Sequence, residues 1–297
     1  MYFYLAIAAY EIVHLFAELL VKTPKGGECR SVVVMPSRGG RDLRRFVGYV
    51  DYVVVDHVSD GAEAGEVGLR WFLNKYTGKS GALATALETI DAELYVFIDD
   101  DAYPGPWLKH LRSMCGRFAT AYRWVLGRIH NAFSLGGFDW MVWRPTRFLY
   151  GGAMTVPASR RREASEALKK CAVDDMALSA IADEIVVLPA LVPMDPPREL
   201  WGFFIRQAVA AKIGNPRLWL VETLYYSVWT VAALFFPALF LIHAVRTALR
   251  SRRALGRVDW AQVALSPLER PLQAVVFLAS AFKRCFTWRG TTICSRC

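Results

Sequence analysis

Between residues 30 and 200 the chain alternates between two kinds of segment. SVVVMP, YVVVDHV, ELYVFI and EIVVLPALVP are short β-branched runs that end in turn residues. Helix-like stretches lie between them, among them LATALETI and residues 161–171, RREASEALKKC. This alternation predicts an α/β fold built on a mainly parallel sheet. In such sheets ligands bind at the carboxyl ends of the strands. The polar clusters that follow each strand are therefore the candidate site.

The two ends of the chain have another character. Residues 1–21, MYFYLAIAAYEIVHLFAELLV, are long enough to cross a hydrocarbon core of ~30 Å. They lack the basic start and small-residue cleavage site of a secretory signal. Lys22, Lys25 and Arg30 follow, which by the positive-inside tendency places the next domain in the cytoplasm. Glu11, His14 and Glu18 share one helix face. That stripe is a polar route for lipid headgroups, a packing surface for another helix, or one face of a helix lying partly in the interface. Residues 199–217 mix aromatics with Arg206, Lys212 and Arg217, as an interfacial helix does. Residues 218–245 are almost continuously apolar and precede Arg246, Arg250, Arg252, Arg253 and Arg257. One span or a hairpin turning at Pro237 are both open. The expected organisation is a membrane helix at 1–21, a catalytic domain at 30–198, an interfacial helix at 199–217 and a membrane region at 218–297.

The hydrophobic share of 54% against 21% charged residues agrees with membrane contact. With 36 basic and 27 acidic residues the formal net charge is +9. Together with the apolar ends, this favours anionic headgroups or phosphorylated substrates over nucleic acid. Cys29, Cys115, Cys171 and Cys285 are scattered singly, which fits a reducing compartment. Cys294 and Cys297 form a single CxxC, a weak metal or redox signal without a second pair.

The strongest chemical signal is VFIDDDAYPGP, an apolar strand that ends in Asp99, Asp100 and Asp101. In extended chain the first and third side chains share a side. Two carboxylates there suit a hard divalent cation held against a diphosphate. Asp56 ends a second strand in YVVVDHVSD and can accept hydrogen bonds from a base or ribose. Lys79 stands between glycines in TGKSGALATAL, before a helix, where it can reach a phosphate. In AVDDMALS one of Asp174 and Asp175 can cap the following helix, leaving the other for proton transfer.

In order and spacing, VVVMPSRGG, VVVDHVSDG, GKSGALATALE, FIDDDAYPGPWL, FLYGGAM, VDDMALS, WGFFIRQ and FTWRG resemble the family 2 glycosyltransferases. Within that family the chain is similar to the ceramide glucosyltransferase-like membrane branch. The resemblance implies a GT-A-like nucleotide-diphospho-sugar transferase domain with N- and C-terminal transmembrane helices. It implies Mg²⁺ or Mn²⁺ held by Asp99 and Asp101, and Asp175 as the catalytic base. Pro36, Ser37, Asp56, Lys79, Asp99, Asp100, Arg206 and Gln207 fall at its donor-binding positions. Two departures stand out: the motif at Arg206 continues AVAAK, leaving Lys212 as the next basic group, and TVPAS separates GGAM from Arg160.

The implied reaction is an inverting transfer of a hexose, glucose from UDP-glucose by resemblance, to a lipid hydroxyl, giving a β-glycolipid. The expected protein is integral to the membrane with its catalytic domain on the cytoplasmic face. The alternatives are a polyprenyl-phosphate sugar synthase, which needs less base catalysis, and a membrane scaffold that kept the fold. A processive polysaccharide synthase would need more membrane helices and an intact Arg-Trp motif.

Overall fold

The computed structural model describes residues 2–20, 24–127, 131, 141, 147–197, 199–288 and 291–294. The chain divides into two compact units. One comprises Thr23–Arg123 and Phe148–Asp195; the other comprises Met1–Lys22, Trp124–Arg147 and Pro196–Arg296.

The first unit is built on a seven-stranded sheet in the order β3-β2-β1-β4-β6-β5-β7. The strands are β1 (Ser31–Ser37), β2 (Tyr52–Val55), β3 (Trp71–Leu73), β4 (Leu94–Ile98), β5 (Phe118–Val125), β6 (Ala153–Pro157) and β7 (Ile185–Met194). β1 runs parallel to β2 on one side, with Val34 opposite Tyr52, and to β4 on the other, with Ser31 opposite Leu94. β3 continues the parallel set beside β2, whereas β6 is antiparallel to both β4 and β5. β4 and most of β1 are buried, which is why their sequences read as continuous apolar runs rather than alternating ones.

Helix Gly78–Thr89 packs on β1, β2 and helix Arg161–Lys170, and buries ALATAL almost without interruption. From β1 the chain moves outward through β2 and β3, then returns to β4 on the opposite side of β1. The carboxyl ends of β1 and β4 therefore flank a topological switch point. Ser37 Oγ donates to Asp100 Oδ2 across it at 3.1 Å.

The expectation of free thiols fails. Among the described residues no cysteine is free. Cys29 before β1 is bonded to Cys115 after helix Pro106–Arg112, and Cys285 is bonded to Cys294. Cys171 is also disulfide-bonded. Sequence spacing hid the first pair because 86 residues separate its members; the fold returns the chain to the same place, where Gly27 N–H donates to Ser113 O. Cys294 takes Cys285 rather than its CxxC neighbour, and Cys297 lies outside the described residues.

The second unit is helical. Pro237 divides the long apolar run into helices Pro216–Phe235 and Ala238–Leu255. Proline cannot donate the hydrogen bond that a continuous helix needs. Pro216–Phe235 is the one described helix long and apolar enough to cross a membrane. The apolar part of the N-terminal helix, Leu5–Ala17, is shorter.

Glu11 and His14 are buried against Ala238–Leu255: Arg246 donates to Glu11 Oε2 at 2.7 Å and meets His14 Nδ1 at 2.8 Å. The polar face of the first helix is therefore a packing surface; the side chain of Glu18 lies outside the described residues. Arg246 and Arg250 are buried too, so these two arginines do not bear on topology as exposed charges. His243 and Glu269 form another buried pair at 2.8 Å. Lys212 donates to the carbonyls of Ser280, Ala281 and Lys283, and so caps helix Glu269–Ala281.

Candidate active site

The sheet unit gathers its polar groups beyond the carboxyl ends of β1 to β4. After β2, Asp56 accepts from Arg38 Nε at 2.6 Å and from Asn74 Nδ2 at 2.8 Å. Arg38 follows β1 and Asn74 follows β3, so three consecutive strand ends meet at one carboxylate. Asn74 also donates to Gly78 O, which ties this corner to the start of helix Gly78–Thr89. The sequence reading missed Asn74, whose only signal was its place directly after the strand.

After β4 the three aspartates diverge. Asp100 turns inward, 2% exposed, onto Ser37, while Arg45 grips its backbone carbonyl at 2.7 Å. Pro36 and Ser37 are likewise buried, so they secure the end of β1. The loop is pinned from β7: Tyr103 N–H donates to Pro193 O and Asp195 N–H donates to Asp101 O. The Asp195 carboxylate collects Tyr103 Oη at 2.7 Å, Arg45 at 3.0 Å and Arg41 at 3.4 Å.

Asp99 and Asp101 are the pair available to a cation. Burial, with Asp99 and Asp100 beside it, pushes the Asp101 carboxyl up to about 7. Its Oδ1 is buried with no hydrogen-bond partner. An orphaned carboxylate oxygen between two further acids fits a divalent cation, which supplies the missing partner and relieves the repulsion. Among the described residues no group of three or more His, Cys, Asp or Glu side chains converges as a protein-only metal site. The donor set is two carboxylates, which leaves room for phosphate oxygens.

Lys79 is the hub of the other half. Its ammonium lies 2.7 Å from Asp99 Oδ1, 3.0 Å from Asp174 Oδ2 and 2.9 Å from Gly151 O. Burial opposes its charge, but Asp174 and Asp99 outweigh it and hold the pKa well above the ordinary lysine value. Burial is also the main cause that raises Asp99, against the pull of Lys79. The loop comes this close because Gly151 has no side chain: a Cβ there would sit 2.8 Å from Asp174 Oδ2 and 3.0 Å from Lys79 Nζ.

The expected helix cap is corrected here. Helix Asp174–Ile181 starts without a side-chain cap, and Asp174 is drawn to Lys79 instead. A buried ammonium attracts a carboxylate more strongly than a backbone N–H does. The Asp175 carboxylate accepts from Met176 N–H at 2.8 Å. Burial and the charge of Asp174 raise its carboxyl to about 7, a value suited to a general base. Arg123, stacked near Tyr122 and Tyr150, is the cation that opposes this rise besides Lys79. Arg206 and Gln207 lie on helix Leu200–Gly214 of the helical unit, with the Arg206 guanidinium 5.3 Å from the centroid of Phe203.

The sheet order, the acidic strand end and the second acidic pair define an α/β nucleotide-sugar transferase fold of the GT-A kind. A mannosyltransferase from Pyrobaculum calidifontis, solved with GDP-Man and Mn²⁺, superposes with a TM-score of 0.52 at 16% identity. The match covers 94% of this chain and 96% of that one. Glucosyl-3-phosphoglycerate synthase from Mycobacterium tuberculosis, in complex with Mn²⁺, UDP and glucosyl-3-phosphoglycerate, matches over 63% of this chain and 80% of that chain. Its TM-score is 0.42 at 16% identity. No protein-family model and no curated protein matches the sequence.

Proposed function

We propose that this chain is a membrane-anchored, inverting glycosyltransferase that moves a hexose from a nucleotide-diphosphate donor to a lipid hydroxyl. The observation that carries this reading is the division of acids at the strand ends. Asp99 and Asp101 lie together with an unsatisfied oxygen, while Asp175 stands on a separate helix start with its carboxyl near 7. A Mg²⁺ or Mn²⁺ held by Asp99 and Asp101 would neutralise the leaving diphosphate. Asp56, steadied by Arg38 and Asn74, offers its carboxylate to the nucleoside. Asp175 takes the proton of the acceptor hydroxyl, which is a poor nucleophile without a base. One base and one displacement invert the anomeric centre.

UDP-glucose is the donor implied by the family resemblance. GDP-mannose enters beside it because the full-length structural match was solved with GDP-Man. A polyprenyl-phosphate acceptor is the second reading. Arg41 favours it, since it lies close enough to Asp101 to lower that carboxyl and is held only at 3.4 Å by Asp195.

Membrane anchoring rests on the helical unit, which keeps charge inside and apolar side chains outside. Glu11, His14, Glu222, His243, Arg246 and Glu269 are buried, whereas Leu220, Leu224, Leu234, Phe235, Leu241 and Leu278 are exposed. The proposed side for the sheet unit is cytoplasmic, from Lys25 and Arg30 after the first helix. The disulfide Cys29–Cys115 weighs the other way unless the host cytosol tolerates disulfides, as in hyperthermophiles. Protease protection in sealed vesicles decides the side.

The test of activity incubates purified full-length protein, in detergent, with labelled UDP-glucose or GDP-mannose, Mn²⁺ or Mg²⁺, and membrane lipid extract. A glycolipid identified by mass is expected. Absence of transfer from every donor, with both metals, would sink the reading.

A further inference from the structure

Lys79 stands between two acids of the candidate site. Its partners include the Gly151 carbonyl and two carboxylates with different assignments: Asp99 belongs to the cation pair, Asp174 to the acidic pair that carries the base. The side chain is only 10% exposed, and Asp174 only 6%. Asp174 faces Lys79 at 3.0 Å and does not cap its helix. A cation seeking Asp99 Oδ1 meets an ammonium already there at 2.7 Å.

We propose that Lys79 is a built-in rival of the metal for Asp99, and that Asp174 is the positioning residue that draws the ammonium aside. The proposal rests on the metal reading of Asp99 and Asp101. Before a cation binds, Lys79 neutralises Asp99 and spares the protein a cluster of buried, mutually repelling carboxylates. When a divalent cation takes Asp99, Lys79 keeps Asp174 and the Gly151 carbonyl as partners. It therefore stays charged and buried without an uncompensated cost. Asp174 sets how easily that exchange occurs. Gly151 completes the arrangement by bringing its carbonyl within 2.9 Å of the ammonium.

The test measures Mn²⁺ affinity of the full chain in detergent without any donor, by titration calorimetry or by the spin-resonance signal of free Mn²⁺. Lys79→Met removes the rival, so Mn²⁺ should bind on the order of tenfold more tightly. Asp174→Asn leaves Lys79 more firmly on Asp99, so Mn²⁺ should bind more weakly by a similar factor. In the Lys79→Met background, Asp174→Asn should then change little, because its effect runs through the ammonium. A purely structural role would lower the melting temperature in both variants without moving affinity in opposite directions. Asp174→Asn is nearly isosteric and carries the test alone should Lys79→Met fail to fold; unchanged or tighter Mn²⁺ binding in it overturns the proposal. So does an Asp174→Asn effect of equal size in both backgrounds. If Asp101→Asn leaves Mn²⁺ binding untouched in every background, the metal reading itself falls, and that result is distinct from the others.

Discussion

At Asp101, burial and two neighbouring acids set a cost that a bound cation would relieve. Its carboxyl is raised to about 7 by burial and by Asp99 and Asp100, so ionisation is opposed in the folded state. The folded protein holds this proton at pH values where the unfolded chain, near ~4, has lost it. Stability of the empty protein should therefore fall as pH rises from about 4 towards 7. Asp101→Asn removes the repulsion, so its melting temperature at pH 8 without metal should exceed that of the native chain. The same variant should lose metal-dependent nucleotide binding. A lower melting temperature, or unchanged metal-dependent binding, would contradict the assignment. Asp175 obeys the same sign with another consequence. As a base it must be ionised, so turnover should rise with pH through about 7. Asp175→Asn should keep donor affinity and lose ~10²–10⁴ in single-turnover rate. Substantial transfer in Asp175→Asn would instead favour a phosphate acceptor.

The strands and helices of the sheet unit were legible because each is locally consistent. Val-rich runs between turn residues can satisfy their backbone only as buried strands, and the acids that end them lie where the sheet order places a site. What stayed hidden depends on pairs distant in sequence. Lys79 meets Asp99 and Asp174 through Gly151, and nothing local to AVDDMALS announces that Asp174 will leave its helix end for an ammonium. Cys29 and Cys115 are similarly unreadable at 86 residues apart. Their replacement by serine should cost about 2–4 kcal/mol, read as a lower denaturation midpoint, since the bond closes a long loop in the unfolded chain. In the helical unit the arginines after the apolar run read as a charged flank, yet Arg246 reaches back to Glu11 and His14. Arg246→Met should cost about 3–5 kcal/mol by leaving Glu11 buried without its cation. Arg252→Met, at an exposed position six residues on, should stay within ~0.5 kcal/mol in the same melting experiment.

At the scale of the whole molecule, the two units differ in how much charge they bury and how much apolar surface they expose. The sheet unit hides Val, Leu and Phe from its surroundings in the ordinary way, with Val33, Leu83 and Phe97 wholly enclosed. The helical unit encloses Glu11, His243, Arg246 and Arg270 and turns Leu234 and Leu241 outward, at 73% and 67% exposure. In water that second pattern wastes apolar surface and desolvates charge, both unfavourable. In a bilayer it satisfies both requirements, since hydrocarbon solvates the leucines and the protein interior pairs the charges. Helix Pro216–Phe235, with 20 residues, rises about 30 Å, which matches the hydrocarbon thickness. The two settings assign opposite costs to one substitution. For a soluble protein, Leu234→Asp changes an exposed side chain and should alter stability by no more than ~0.5 kcal/mol. For a membrane-embedded helix, a charge in the apolar zone costs ~2.5–3.5 kcal/mol near its centre, less towards an end. Leu241→Asp, on the next helix, repeats the comparison. The expected result is that native protein sediments with membranes, resists extraction by salt or alkaline carbonate, and is released by detergent, while both variants accumulate far less in the membrane fraction. Native protein that stays monodisperse in buffer without detergent, alongside variants that fold and accumulate equally well, would show that the helical unit lives in water and that its outward leucines serve another contact.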